Sequence, residues 1–400
     1  MRARFAVPLG ADFSKLWTST AVSNLGDGVT MVAGPLLVAS LSPDPAAVAG
    51  AAFAQQLPWL LFALISGAWA DRLDRRRLVA TVNVVRGAAV GVLAIAVASG
   101  SVGVPLILIV CFVLGTGETL ADTASAAFVP ALVPPASRPR ANSLLYATFN
   151  LINQFAAKPL GAWLFVVAAF LPFGLNALTF GASALLVASI RPLPAPSPSR
   201  AGRLSAEIAE GVRFLFGHRL LRTLAVTMAV ANLVFCAAFA IFVLYAMQRL
   251  GLSDVGYGVL LLAFAAGGLL GTLVAPRLLR AVGASLLLRL GLLVEVALHA
   301  TLALTTTPLV AASMIVIFGI HTTVWGVVVT TIRQRDIPAA LFGRVTSVYS
   351  LIDLAGAAAG SLAGGLFATA FGLTATYAAA AAAMLAVAVV AWHPLRAAAT

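Results

Sequence analysis

Six windows of this chain, residues 45–70, 87–117, 159–190, 223–248, 296–332 and 354–395, contain no Asp, Glu, Lys or Arg. A helix of about 20 apolar residues crosses a bilayer core. Windows this long leave the chain few options other than the membrane. The longer ones hold two crossings each, divided by turn signals at Ser101-Val102-Gly103, Pro172-Phe173-Gly174, Thr306-Thr307-Pro308 and Phe371-Gly372. The pattern predicts helices over 13–40, 47–69, 78–99, 105–129, 143–165 and 173–190. After a polar interval it predicts 222–247, 256–276, 285–304, 308–331, 345–370 and 373–392. Composition agrees. The 400 residues are 61% hydrophobic and 10% charged, whereas soluble domains are about 45–50% apolar and about 25% charged. That excludes an ordinary soluble enzyme, and it excludes disorder.

Lys and Arg outnumber Asp and Glu by 25 to 13. In a soluble protein that excess suggests nucleic acid. Here the basic residues lie between apolar segments and read as topology, so no nucleic-acid partner is expected. With the N-terminus inside, all of the 25 except Arg249 and Lys158 fall at inner ends of helices. The expectation is therefore an even number of crossings, both termini cytoplasmic, in a bacterial inner membrane. Nearly all of the basic residues are Arg, which is read as genome composition without functional meaning. Cys111 and Cys236 sit in apolar runs as small hydrophobes and form no disulfide framework. The N-terminal segment lacks the pattern of a signal peptide, so the first helix is expected in the mature protein.

The interval 191–221 begins RPLPAPSPSR, where alternate prolines favour an extended linker. Leu204, Ile208, Leu215 and Phe216 then oppose Glu207, Glu210 and Arg213, the mark of a short amphipathic helix lying on the inner surface or of a plain linker helix. The expected organisation is an N-terminal bundle over 1–190, a linker over 191–221 and a C-terminal bundle over 222–400. RANSLLY at 140–146 and RVTSVY at 344–349 echo each other, as related halves would. The fold class is an all-α polytopic membrane protein of twelve helices in two pseudo-symmetric six-helix bundles.

GAWADRLDRRRL at 67–78 resembles the loop signature of the major facilitator superfamily, through Gly67, Asp71, Arg72, Arg75 and Arg76, with Asp74 where Gly is common. SNLGDGVT (23–30), LPWLL (57–61), ETLADTASAAFVPALVP (118–134), RPRANSLLY (138–146) and GRVTSVYSLI (343–352) extend the likeness along the chain. Together they resemble the bacterial exporter branch that includes siderophore and macrolide efflux proteins. The resemblance implies alternating access and proton-coupled export of a small amphipathic molecule. It also implies a conformational latch in which Asp71 meets the start of helix 11, at Gly343 and Arg344; a carboxylate is favoured at a helix N-terminus. Two departures stand out. Helix 4 has no Arg, and Lys158-Pro159-Leu160-Gly161-Ala162 places Lys where drug/proton antiporters of the superfamily have a small residue.

Charges inside spans cost about 2.5–3.5 kcal/mol each on insertion scales and usually face a cavity or a partner. They are Asp27, Glu118, Asp122, Lys158, Glu295 and Asp353. Asp27 and Lys158 lie at equal depth, about 21–22 Å from the inner ends of their helices, which predicts an ion pair that proton or substrate binding opens. Glu118 and Asp122 share a helix face and, with Asp353, are candidates for proton carriage. Glu295 and His299, four apart, read as a structural pair. Gln55, Gln56, Trp59, Phe149, Asn150, Asn153, Gln154 and His321 are candidates for the wall of a substrate cavity. Gly356, Gly360 and Gly364, and Gly267 with Gly271, have the spacing of close helix contacts.

No Gly-Lys-Ser/Thr loop, His-Glu-x-x-His or Gly-x-Ser-x-Gly occurs. The expected protein is thus no enzyme. It needs no cofactor and no metal, and it is driven by a proton gradient and acts as a monomer in the lipid bilayer. Uptake or facilitated diffusion by the same fold, or a receptor without transport, are the alternatives.

Overall fold

A computed structural model describes residues 9–125, 128–192, 204–338 and 341–399; of residues 63–72, 204–207 and 399 it describes the backbone alone. Every regular element among the described residues is helical. The chain begins with α1 (Ala11–Leu41), α2 (Pro45–Arg72), α3 (Arg75–Ala98) and α4 (Val104–Ser125), followed by the short α5 (Phe128–Leu132). The fifth expected crossing is one helical run, α6 (Arg138–Thr148), a π-helical stretch (Phe149–Ala156) and α7 (Ala157–Val167); α8 (Leu171–Ala188) follows. After α9 (Leu204–Gly217) come α10 (Arg219–Ala240), the single turn α11 (Phe242–Leu244) and a second π-helical turn (Tyr245–Arg249). The last five helices are α12 (Asp254–Val282), α13 (Ala284–Leu304), α14 (Pro308–Asp336), α15 (Phe342–Phe371) and α16 (Leu373–Ala391).

Ten helical segments among the described residues are long and apolar enough to cross a membrane. The other two of the twelve expected crossings are also helical: α2, and the run interrupted by the π-helical stretch. The chain divides into two compact units, Met1–Leu41 with Ala54–Pro198, and Ser42–Phe53 with Ser199–Thr400.

Each unit repeats one packing pattern. In the first, α1 packs on α7 and α8, and α3 on α4 and α8. In the second, α10 packs on α15 and α16, and α13 on α14 and α16. The order of partners is the same, as two copies of one six-helix design require. Helices in lipid gain little from hydrophobicity between them, so small residues that let backbones meet become the adhesive. The stripe Gly356, Gly360, Gly364 on α15 lies against the carbonyls of Ala229, Leu233 and Ala237 on α10. A Cβ at any of the three would run into backbone, which does not yield.

The linker helix α9 is amphipathic, but it buries a different set from the expected one. Leu215 is fully buried in the core of the second unit, Ile208 and Phe214 pack against that core, and Phe216 is exposed. The α9 backbone at Gly211 approaches the carbonyl of Arg344, and Glu210 pairs with the Arg344 guanidinium. Its apolar face is therefore spent on its own unit.

A candidate coupling centre and a candidate ligand cavity

Asp27 projects from α1 toward α3, where Arg86 Nη2 donates to its carboxylate at 3.2 Å. Arg86 is buried, 7% exposed, and its guanidinium lies 4.1 Å from the centre of the Phe180 ring. The aliphatic stem of Arg86 crosses α4 at Gly117, where a Cβ would stand 2.7 Å from Cγ and Cδ. Glu118 and Asp122 follow on α4, one turn apart, and their charges and that of Arg86 act on the same region as Asp27. Among the described residues Asp27 alone pairs with this buried cation, and Asp122 and Glu118 lie in its electrostatic neighbourhood. The Arg86 Nε has no hydrogen-bond partner.

This arrangement corrects the expected Asp27–Lys158 pair. Arg86 had been counted among inner-end residues, but α3 starts at Arg75, so Arg86 lies about 17 Å along the helix at 1.5 Å per residue. Equal depth fixes height and not direction. The face of α1 that meets α7 is glycine: Gly28 sits on Asn153 and Ala157, and the Val29 carbonyl on Gly161. Asp27, one step around the helix, points elsewhere. Lys158 is buried, 2% exposed, and donates to Gln154 Oε1 at 2.5 Å. Gln154 donates in turn to Asn153 Oδ1 at 3.1 Å, and Asn153 to the Asn24 carbonyl at 3.2 Å. The π-helical stretch holds Asn153 and Gln154 in this relay. Among the described residues, no carboxylate pairs with Lys158.

Of the proposed latch, Gly67, Asp71 and Arg72 lie outside the described side chains. Asp74, the departure from the loop signature, has a clear role: as N-cap of α3 it accepts from the amides of Arg76 and Arg77. Arg76 reaches the carbonyls of Ala188 and Ile190 at the C-terminal end of α8, at 3.3 and 2.9 Å. Lys15 reaches the Ser189 carbonyl there, at 2.6 Å. Arg138 does the same for the carbonyls of Pro130 and Val133. Arg249, the outlier in the topology reading, binds the carbonyls of Leu304 and Thr305 at the end of α13. Basic groups at helix C-termini meet unsatisfied carbonyls and the negative end of the helix dipole.

The second unit carries a partly open cavity of about 210 Å³ with walls from α10, α12, α13, α14 and α16. Glu295 of α13 and His321 of α14 face each other across it, Oε1 to Nε2 at 3.4 Å. Both are buried. The His321 ring occupies the space left open by Gly291, one turn before Glu295. Glu295 Oε2 and Trp325 Nε1 find no hydrogen-bond partner. Phe235, Phe264 and Phe318 stack on one another at centroid distances of 5.6–6.3 Å. Asn232 completes the polar side and donates to the Asp353 carboxylate at 2.9 Å.

Glu295 was expected to pair with His299. Instead His299 Nδ1 meets the Glu295 backbone carbonyl at 2.9 Å, and the carboxylate turns to His321. The 3.6-residue period places His299 over the backbone of Glu295, and the long-range partner on α14 was invisible in the spacing. Of the residues expected to line a cavity, His321 lines this one. The others belong to the first unit: Gln55 and Phe149 are exposed, Trp59 and Gln56 are half-buried, and Asn150 donates to its own helix at Tyr146.

The model of the transmembrane secretion effector family, a major facilitator group, matches residues 5–398. The chain belongs to that family. Members are membrane transporters and not enzymes. Among its relatives is the multidrug efflux pump Tap of Mycobacterium tuberculosis, 29% identical over 264 residues, which are 64% of this chain. The chain spans 62% of the length of that relative. The pump of the same name from Mycolicibacterium fortuitum is 28% identical over 380 residues, 92% of this chain and 91% of the relative. Solved structures share the fold at low identity. The nucleoside transporter NupG superposes with a TM-score of 0.77 at 9% identity, covering 97% of this chain and 99% of that one. A bacterial homologue of the iron transporter ferroportin in its inward-facing state gives 0.73 at 17%, covering 94% and 98%. This family member is therefore a multi-pass, all-helical membrane protein of the major facilitator fold.

Proposed function

We propose that the chain is a proton-coupled exporter of small amphipathic molecules that works by alternating access. The observation that carries this reading is the buried cation of the first unit, Arg86 with Asp27, beside Glu118 and Asp122. An arginine that is always charged, paired with Asp27 and with two further acids on the neighbouring helix, can serve as a two-position device. With Asp27 ionised, Arg86 holds α3 to α1. A proton entering from outside neutralises Asp27, and Arg86 turns to the α4 pair. Substrate leaves as the proton passes inward. The relatives called multidrug efflux pumps favour export and an amphipathic substrate.

Lys158 supports the gate through Gln154 and Asn153, and Asp353 works on α15 through Asn232. In the same reading the two bundles, 1–190 and 222–400, flank the linker 191–221, with both termini in the cytoplasm. Glu210 holds Arg344 at the start of α15. The transporter acts as a monomer.

Reconstituted vesicles with an imposed pH gradient test the reading, with ethidium as the amphipathic probe. Gradient-driven ethidium flux is expected in the wild type. Asp27→Asn is expected to lower it by about tenfold or more, the scale of one lost coupling group, while leaving ethidium exchange without a gradient. Equal driven flux in both proteins would remove Asp27 and the coupling scheme together.

A further inference from the structure

The Glu295–His321 cavity lies wholly within the second unit and uses none of the residues assigned to coupling in the first. Its composition is unusual for a membrane helix core. A buried carboxylate oxygen and an indole N–H stand without partners on a wall of mainly aromatic and aliphatic side chains, with His321, Asn232, Thr227 and Thr322 as its other polar members. Leaving such groups unsatisfied is costly, most of all for a charged one, and plain packing gives no return for that cost. A ligand that satisfies them does.

We propose that this cavity binds a compact lipophilic monocation, such as a protonated arylalkyl amine. His321 takes one side of the Glu295 carboxylate and leaves Oε2 as the free acceptor. An ammonium N–H donates to Oε2, a charge-assisted bond of the stronger kind. Phe235, Phe264, Phe318 and Trp325 line the same cavity, and aromatic rings attract a nearby cation. No lysine or arginine lines the cavity, and His321 opposes a positive ligand only when protonated. The volume sets the size. At about 210 Å³ the cavity falls below the range of about 300–1,000 Å³ of drug-sized pockets, which fits one ring with a short amine arm and excludes large dyes. Asp353 and His299 are the other titratable groups nearby; Asn232 occupies the first, and the second faces the Glu295 backbone.

The inference concerns binding at Glu295 and does not depend on Asp27, Arg86, Glu118 or Asp122. Its test is calorimetry on the full-length purified protein with two probes of one shape, phenethylammonium and neutral 2-phenylethanol. The wild type is expected to bind the cation about tenfold or more tighter than the alcohol, as a desolvated charge contact predicts. Glu295→Gln is expected to erase that preference while keeping the alcohol. Ala231→Phe, which fills the cavity from α10, is expected to abolish both. Equal affinity of the wild type for both probes, no binding of either, or a preference that survives both variants would overturn the proposal. The alcohol reports whether Glu295→Gln is folded; should that variant fail to fold, Ala231→Phe with the wild-type preference decides alone. Asp27→Asn leaves this binding intact even where it abolishes driven flux, so the two readings fail separately.

Discussion

The two units follow one packing plan and place charge in it in opposite ways. In the first, Arg86 is buried and the acids around it, Asp27, Glu118 and Asp122, are half-buried or exposed. In the second, both partners, Glu295 and His321, are buried and ringed by aromatics. A permanent cation with several acids has alternatives to move between. A carboxylate fixed by one imidazole, with one oxygen left over, has a vacancy to fill. Duplication of a fold thus fixed the scaffold and left the chemistry of each copy free.

Five variants test that contrast, in descending order of effect. Arg86→Ala strands Asp27 and empties the space under Phe180. It is expected to lower stability by about 1.5–3 kcal/mol, the worth of a hydrogen bond to a charged group, measured by thermal unfolding in detergent. The Asp27→Asn/Arg86→Gln double variant should recover part of that loss; strict additivity would show that the two side chains do not interact. Gly360→Ala pushes a methyl onto the Leu233 carbonyl and is expected to cost about 1–3 kcal/mol, as overpacking does. A thermal midpoint equal to wild type would show that α10 and α15 are looser than described. His321→Gln keeps a donor for Glu295, so stability should change by less than about 1.5 kcal/mol, the net worth of a typical hydrogen bond. A large loss there would mean the second pair holds the fold as the first does. Arg249→Ala removes the cap on α13 and should cost about 0.3–1 kcal/mol, visible as faster hydrogen exchange at the last turn of α13 alone.

The architecture was readable because it rests on long-range averages. Charge-free windows of fixed length set the helices, and turn residues divided them. The chemistry rests on direction, which a one-dimensional pattern carries poorly. Depth put Asp27 level with Lys158, but the glycine face of α1 at Gly28 sends the carboxylate to α3. The spacing put Glu295 beside His299, but its side chain crosses to another helix. Two signals were present and unused. Arg86 lies only two residues before a wholly apolar stretch of α3, too deep for a loop anchor. Asp74, three residues before Arg77, has the place of an N-cap.

The arginines at helix ends have a consequence for how this protein tolerates change. Arg138 and Arg249 each span two carbonyls with one planar fork, a geometry that a lysine's single ammonium does not reproduce. Exchanging them for lysine keeps the signal that the insertion machinery reads, and the polypeptide still threads correctly. The same exchange unfastens the helix ends afterwards. Biogenesis and durability are thereby written in one residue type and separable by it.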